Sequence, residues 1–138
     1  MNRILAIDVG KKSLGLALYT AVADTVTPLH TIKRTKWVDD LAAIIHVIDQ
    51  YTVGLIVIGY PLEADGREGP KCQSIRAFTR MLQEEDVPEI VYQDERYSSQ
   101  VAEEALVALD ASRKTRRRVN DAIAAQLILQ AYLDSQNG

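Results

Sequence analysis

Acidic residues stand at three positions of the chain where their carboxylates could do chemistry. Asp8 ends a short aliphatic run, Asp94 and Glu95 close the last such run, and Asp121 opens the last helical pattern. If one acid from each position converges, the three repel each other unless cations lie between them. Carboxylate oxygens are hard ligands that suit Mg²⁺ or Mn²⁺, and two such ions can promote hydrolysis of a phosphodiester. The pattern therefore indicates metal-assisted hydrolysis.

Each position also has a purely structural interpretation. Asp8 could cap a hairpin turn, Asp94 and Glu95 could be solvated charges at a strand end, and Asp121 could be a first-turn acid favoured by the helix dipole with Asn120 as its cap. Helical spacing places Asp121 on one stripe with Ala124, which would point it toward a sheet. Convergence of the acids is what separates a site from three unrelated roles.

Positive charge is concentrated immediately before Asp121. Five cations occupy the six positions from 113 to 118, namely Arg113, Lys114, Arg116, Arg117 and Arg118. Such a run is most often a solvated loop, but beside an acidic metal centre it would hold the phosphates that flank a scissile bond. Lys11, Lys12, Arg67 and Lys71 could extend this surface, and the planar guanidinium of Arg96 suits a phosphate or a neighbouring acid.

Composition limits the class of protein. The length of 138 residues predicts one domain, residues 1–138. Hydrophobic residues make up 47% of the chain, which is enough for a core, so we expect this domain to fold alone. The single cysteine, Cys72, fits a reducing cytoplasm, and no apolar run approaches the roughly 20 residues that span a bilayer. A net charge of −3 predicts no overall positive field for nucleic acid. Any nucleic-acid surface must therefore be local.

The hydrophobic periods predict the element order βββαβαβαα. Strands are expected at Arg3–Asp8, Ser13–Thr20, Thr25–Lys33, Leu55–Gly59 and Glu89–Asp94. Helical spacing covers Leu41–Ile48, Ile75–Leu82, Val101–Leu109 and about Asn120–Leu133. Three antiparallel strands followed by two parallel strands with crossover helices give a mixed five-stranded sheet with helices on both faces. This α/β arrangement is the ribonuclease H-like architecture.

Four segments in this order resemble the YqgF/RuvX family over essentially the whole chain. They are residues 7–15 (IDVGKKSLG), 57–62 with Asp65 and Gly66, 94–99 (DERYSS) and 120–125 (NDAIAA). The first segment alone would be weak, because sugar kinases and actin-like ATPases begin similarly. The resemblance implies a ribonuclease H-like nuclease related to RuvC-type Holliday junction resolvases and linked to trimming the 5′ end of the small-subunit ribosomal RNA precursor.

The resemblance also implies which acids are catalytic and bind metal. They are Asp8, Glu95 and Asp121. Asp8 is the ligand that bridges two Mg²⁺ or Mn²⁺ ions, and Glu95 and Asp121 each complete the coordination sphere of one ion. Asp94 is the reserve for Glu95, since adjacent strand residues face opposite ways. The chain departs from the family's pattern at Lys11, where threonine is usual, and at Tyr60, where leucine is usual. Neither departure removes an acid.

The expectation is a cytoplasmic metal-dependent nuclease acting on structured RNA, most of all a precursor of 16S ribosomal RNA. The enzymatic alternative is a DNA nuclease or Holliday junction resolvase in repair and recombination, for which a symmetric homodimer rather than a monomer would help. A non-enzymatic alternative is a binding protein whose basic run docks on ribosomal RNA and whose acids only hold the fold. An actin-like ATPase is poorly supported, because that fold is duplicated and this chain holds one copy.

Overall fold

The computed structural model describes residues 3–94 and 113–137, with side chains in the second range described at 123–136. The strands are β1 (Arg3–Val9), β2 (Ser13–Thr20), β3 (Thr25–Pro28), β4 (Ile32–Lys33), β5 (Leu55–Tyr60) and β6 (Glu89–Asp94). The helices are α1 (Trp37–Tyr51), α2 (Pro70–Gln83) and, from the last segment, α3 (Arg113–Asn137). The helix predicted at Val101–Leu109 lies outside the described residues.

One mixed sheet organises these elements. Its strand order is β3-β2-β1-β5-β6, and β4 pairs with β2 beside β3. The pairs of β2 with β1, β3 and β4 are antiparallel, whereas β1–β5 and β5–β6 are parallel. The predicted change from antiparallel to parallel pairing is therefore confirmed, and the carboxyl ends of β1, β5 and β6 lie at the same edge.

The predicted strand Thr25–Lys33 is wrong as one element, because the structure divides it into β3 and β4. From Pro28 to Ile32 the chain advances four residues, while their partners on β2, Ala17 and Leu14, are three residues apart. One extra residue cannot be accommodated in an unbroken antiparallel ladder, so the pairing is interrupted as at a bulge. The described sheet consequently has six strands rather than five.

Helix α3 begins seven residues before the predicted start at Asn120. Residues 113–118, for which a solvated loop was the ordinary expectation, therefore have helical backbone. Arginine and lysine are good helix formers, and no proline or glycine interrupts this segment. The helix propensity of these residues thus extends α3 beyond the apolar stripe from which the helix was predicted.

The two faces of the sheet pack against different helices. The α1/α2-side core contains Leu5 and Ile7 of β1 together with Ile44 of α1 and Phe78 of α2. The α3-side core contains Ile4, Ala6, Val57, Ala125 and Ile128. All six residues of β5 are buried, as expected for a central parallel strand covered on both faces. Within the described ranges, no helix is long and apolar enough to cross a membrane.

Candidate functional site

Asp8 lies at the carboxyl end of β1, on the sheet face that α3 covers. Strand residues alternate between faces, and Ile4 and Ala6 belong to the α3-side core. Asp8 has the same parity and is half-buried, one residue before the strand ends. The Asp8 carboxylate therefore lies at the boundary between the apolar α3-side core and the edge of the sheet.

Helix α3 brings the backbone of Asp121 toward the same core. Asp121 precedes Ala125 by four residues, which is about 6 Å along a helix axis. Ala125 is fully buried and shares the α3-side core with Ala6, which is two residues before Asp8. Asp8 is therefore two residues along β1 from a residue of the α3-side core. Asp121 is about one turn along α3 from another residue of the same core.

Strand β6 places Asp94 on the opposite face from Asp8. Ile90 packs against the α1/α2-side core, whereas Val91 packs against the α3-side core. Asp94 has the parity of Ile90, and it is exposed at the end of the strand, paired in register with Tyr60. Alternation along β6 therefore directs Asp94 away from the face that carries Asp8.

The remaining predicted acids and cations lie partly outside what the structure describes. Glu95 and Arg96 lie outside the described residues, and so do the side chains of Asp121 and of residues 113–118. Among the described side chains, no three histidines, cysteines or acids form a group that could hold a metal. Of the proposed ligands, only Asp8 has a described side chain.

The turn after β1 is tight and carries two exposed cations, Lys11 and Lys12. The Gly10 amide donates a 3.0 Å hydrogen bond to the Ser13 carbonyl. A Cβ at position 10 would lie 2.9 Å from that carbonyl oxygen, closer than side-chain carbons approach backbone oxygens. Glycine is therefore required sterically at this position, and the turn presents both lysines beside the carboxyl end of β1.

Arg34 and Asp40 hold this turn from the α1/α2 side. Arg34 Nη1 donates a 2.8 Å bond to the Gly10 carbonyl, and Arg34 Nε donates to Asp40 Oδ2 at 3.3 Å. The other carboxylate oxygen of Asp40 accepts from the Thr35 amide at 3.0 Å. This pair was not predicted from the sequence. The available signal was the spacing of Asp40, four residues before Ile44 on the apolar stripe of α1, and the structure leaves only 2% of Asp40 exposed.

A second polar cluster closes the loop between β5 and α2. Tyr60 ends β5, and its hydroxyl donates to Glu68 Oε1 at 2.8 Å and accepts from Arg76 Nη1 at 3.1 Å. Arg76 also pairs with Glu68. Burial, with the hydrogen bond to Glu68, raises the pKa of Tyr60 to about 12. Hydrogen bonds from Tyr60 and Arg76 lower the pKa of Glu68.

The predicted phosphate-binding cation Arg67 lies on this loop, on the surface. Its Nε donates to Asp65 Oδ2 at 2.6 Å, and its side chain is 81% exposed. An exposed ion pair contributes little to stability, so Arg67 can exchange this partner for another anion at small cost. Lys71, at the start of α2, is also exposed.

Comparison of the sequence with known proteins identifies the family of this chain. A family model described as RuvX, Holliday junction resolvase, matches residues 2–135. The chain belongs to the RuvX family. A relative from Paramagnetospirillum magneticum is 44% identical over 138 residues, covering 99% of this chain and 88% of the relative. One from Roseobacter denitrificans is 42% identical, covering 97% and 83%. Both carry the name "Putative pre-16S rRNA nuclease".

Solved structures confirm the ribonuclease H-like fold for this RuvX chain. The fowlpox virus resolvase, in complex with Holliday junction DNA, has a TM-score of 0.60 at 12% identity, covering 97% of this chain and 98% of that one. Thermus thermophilus RuvC, with a Holliday junction substrate, has a TM-score of 0.56 at 16% identity, covering 98% and 96%. At such low identities the likeness establishes the fold alone.

Proposed function

We propose that this RuvX chain is a metal-dependent nuclease that hydrolyses phosphodiester bonds in 5′-end processing of the 16S ribosomal RNA precursor in the cytoplasm. The observation that carries the proposal is the position of Asp8, half-buried on the α3 face at the carboxyl end of β1. Relatives that bear a pre-16S rRNA nuclease name align over nearly the whole chain, which supports this substrate.

The chemistry of the acids fits a divalent cation. Asp8 is on the α3 face, and the backbone of Asp121 is one helical turn from Ala125, which is buried in that core. On β6, Gln93 has the parity of Val91, whereas Asp94 has the opposite parity; Glu95 is the next acid in the sequence. We therefore propose Asp8, Glu95 and Asp121, rather than Asp94, as the residues that hold Mg²⁺ or Mn²⁺. When two such ions are bound, they supply an activated water and stabilise the departing oxygen.

The cations of the chain bind and orient the substrate in this proposal. Lys11 and Lys12 are exposed on the turn that follows Asp8, where they can contact phosphates next to the scissile bond. Further phosphate contacts are proposed for Arg67, Arg96, Arg113, Lys114, Arg116, Arg117 and Arg118. The backbone of residues 113–118 is helical, and positions three or four apart in a helix lie on one face.

A second candidate function is cleavage of branched DNA. It is favoured by the description of the family model, which names a Holliday junction resolvase. Symmetric cutting of a four-way junction requires two copies of the site, so this candidate predicts a homodimer on DNA. The RNA-processing candidate works equally as a monomer, and the two therefore differ in the stoichiometry of the complex with substrate.

The test is cleavage by the purified chain with Mn²⁺ of labelled precursor RNA, single-stranded DNA and a four-way junction. We expect precursor RNA to be cut best, and Asp8→Asn to lower the rate roughly 100-fold or more while the circular dichroism spectrum is unchanged. Preferred cutting of the junction would support the second candidate instead. If Asp8→Asn cuts as fast as the wild type, the metal mechanism is wrong.

A binding protein without activity predicts a different pattern. In that case no substrate is cut by the wild type, and Asp8→Asn lowers the melting temperature but leaves RNA affinity unchanged. Measuring melting temperature and RNA affinity alongside cleavage therefore separates an enzyme from a structural acid in the same experiment.

A further inference from the structure

The guanidinium of Arg34, which follows β4, contacts the turn that follows Asp8. Its 2.8 Å bond ends on the Gly10 carbonyl, two residues after the proposed metal ligand. We propose that Arg34 is a positioning residue of the nuclease, which holds the turn at residues 8–12 in the orientation that the site requires. This inference rests on the proposed function, because it assigns Arg34 a role only through Asp8 and its turn.

The surroundings of Arg34 make it a rigid support. Its side chain is 14% exposed, and the carboxylate of Asp40 that it pairs with is 3% exposed. The guanidinium carbon lies 5.1 Å from the ring centre of Trp37 and 5.8 Å from that of Phe78. An ion pair and two aromatic rings therefore restrict the guanidinium before it meets the turn.

The same burial argues against direct substrate binding by Arg34. Its charge is already matched by Asp40, and its aromatic contacts are with α1 and α2, on the sheet face opposite Asp8. Lys11 and Lys12, which are exposed on the same turn, are more accessible to a phosphate than Arg34, whose side chain is 14% exposed. Arg34 therefore acts on the proposed site indirectly, through its hydrogen bond to the Gly10 carbonyl.

The bond to Gly10 also sets the direction of the next amide. In a trans peptide the carbonyl and the following N–H point in opposite directions, and the described residues contain no cis peptide. Because the Gly10 carbonyl points to Arg34, the Lys11 N–H points away from Arg34 and from the α1/α2 side. Donation by Arg34 also polarises this peptide, which makes the Lys11 N–H a better donor to an anion.

A backbone restraint on the same turn is independent of the Arg34 side chain. The Arg34 amide donates to the Lys12 carbonyl at 2.8 Å, next to the pairing of Ser13 with Lys33. A side-chain variant keeps this bond, so it tests the guanidinium alone. Lysine retains the charge near Asp40 but lacks the planar fork that serves Asp40 and Gly10 together.

The experiment compares Arg34→Lys with the wild type, with Asp8→Asn, and with Arg80→Lys as the matched control. Arg80 is an exposed arginine of α2 that has no part in the proposed site. Four quantities are measured: amide hydrogen exchange at residues 10–13, the dissociation constant for Mn²⁺ by electron paramagnetic resonance, kcat with KM on the cleaved substrate, and melting temperature.

We expect Arg34→Lys to exchange faster at residues 10–13, to bind Mn²⁺ about 10-fold more weakly, and to lose about 10- to 100-fold in kcat with KM less affected. Arg80→Lys should match the wild type in all four measurements. A purely structural Arg34 would lower the folded fraction and the melting temperature, but the folded molecules would keep the wild-type Mn²⁺ dissociation constant.

The outcomes separate the two proposals. Wild-type Mn²⁺ affinity and kcat in folded Arg34→Lys, with Asp8→Asn inactive, would overturn the role of Arg34 and leave the proposed nuclease standing. Full activity of Asp8→Asn would overturn the nuclease mechanism itself. If Arg34→Lys does not fold, Asp40→Asn, which weakens the anchor of the guanidinium, must show the same loss of Mn²⁺ affinity, or the proposal is wrong.

Discussion

The hydroxyl of Tyr60 donates a 2.8 Å hydrogen bond to Glu68 Oε1 and thereby joins the end of β5 to the last part of the loop before α2. The Tyr60 ring also packs against Tyr92, with 4.4 Å between ring centres. The family resemblance led us to expect leucine at this position, and a leucine has no hydroxyl with which to make this contact.

The first prediction concerns the titration of Tyr60. Its pKa of about 12 lies above the ordinary value of 10.0, so the folded protein keeps a proton that the unfolded chain loses. Its contribution to stability is therefore complete below pH 10 and declines as the pH rises toward 12. Absorbance of tyrosinate should show one residue titrating near 12 that is absent in Tyr60→Phe. An unchanged high-pH limb in Tyr60→Phe would contradict the assignment.

The same substitution tests the hydrogen bonds of the cluster. Tyr60→Phe keeps the ring packed on Tyr92 but removes the acceptor of Arg76 and the donor to Glu68. We expect a loss of about 0.5–1.5 kcal/mol in the free energy of unfolding at neutral pH. Urea denaturation measures it, and Glu68→Gln, which retains a hydrogen-bond acceptor, should lose less than Tyr60→Phe.

A pair of neighbouring acids provides the second prediction. Alternation along β6 places Asp94 on the face opposite Asp8, and the proposed metal ligand is the next residue of the chain, Glu95. We expect Glu95→Gln to lower kcat roughly 100-fold and Asp94→Asn to lower it less than about 5-fold. Steady-state cleavage of the best substrate measures both. The reverse order would mean that Asp94 reaches the metal site and that the chain changes face between these residues.

The third prediction concerns the turn at Gly10. An alanine Cβ would meet the Ser13 carbonyl oxygen at 2.9 Å, and backbone cannot yield as a flexible side chain can. We expect Gly10→Ala to destabilise the protein by about 1–3 kcal/mol and to lower kcat through displacement of the Asp8 turn. Thermal denaturation and cleavage kinetics measure the two effects.

Gly69→Ala is the matched control for this substitution. Its added Cβ would meet only the carboxylate end of Glu63, a flexible side chain that can move aside. Because Gly69 is also the N-cap residue of α2, we expect a smaller loss of stability than for Gly10→Ala, and a kcat close to that of the wild type. Equal behaviour of the two variants would show that the contact with Ser13 does not constrain the turn.

The fourth prediction concerns the helical run of cations at residues 113–118. A cation that contacts a phosphate releases counterions, so its removal lowers the slope of log affinity against log salt by about 0.7 to 0.9. We expect this change for Arg117→Gln with the Asp8→Asn background used to prevent cleavage. Arg80→Gln removes the same charge from an exposed position on α2 and should leave the slope unchanged. Identical slopes would remove Arg117 from the binding surface.

The local elements were largely predictable from the sequence because each has a hydrophobic period of its own. Alternating and continuous apolar runs identified β1, β2, β5 and β6, and apolar spacing identified α1 and α2. The early end of β3 and the separate strand β4 were not predictable, because a one-residue mismatch with β2 becomes visible only when both strands are paired. The start of α3 was missed since its first residues carry no apolar stripe.

For the site, the sequence by itself determined the acids, the concentration of cations and, through four ordered segments, the RuvX family. Only the tertiary structure decided that Asp8 lies on the face covered by α3, that Asp94 lies on the opposite one, and that Arg34 and Asp40 support the turn at Gly10. The physical reason is that face and support depend on which strands and helices pack together. A residue's type and spacing limit the chemistry it can do. Its distant partners are brought to it only by folding, as Gly10 is brought to Arg34 from 24 residues away.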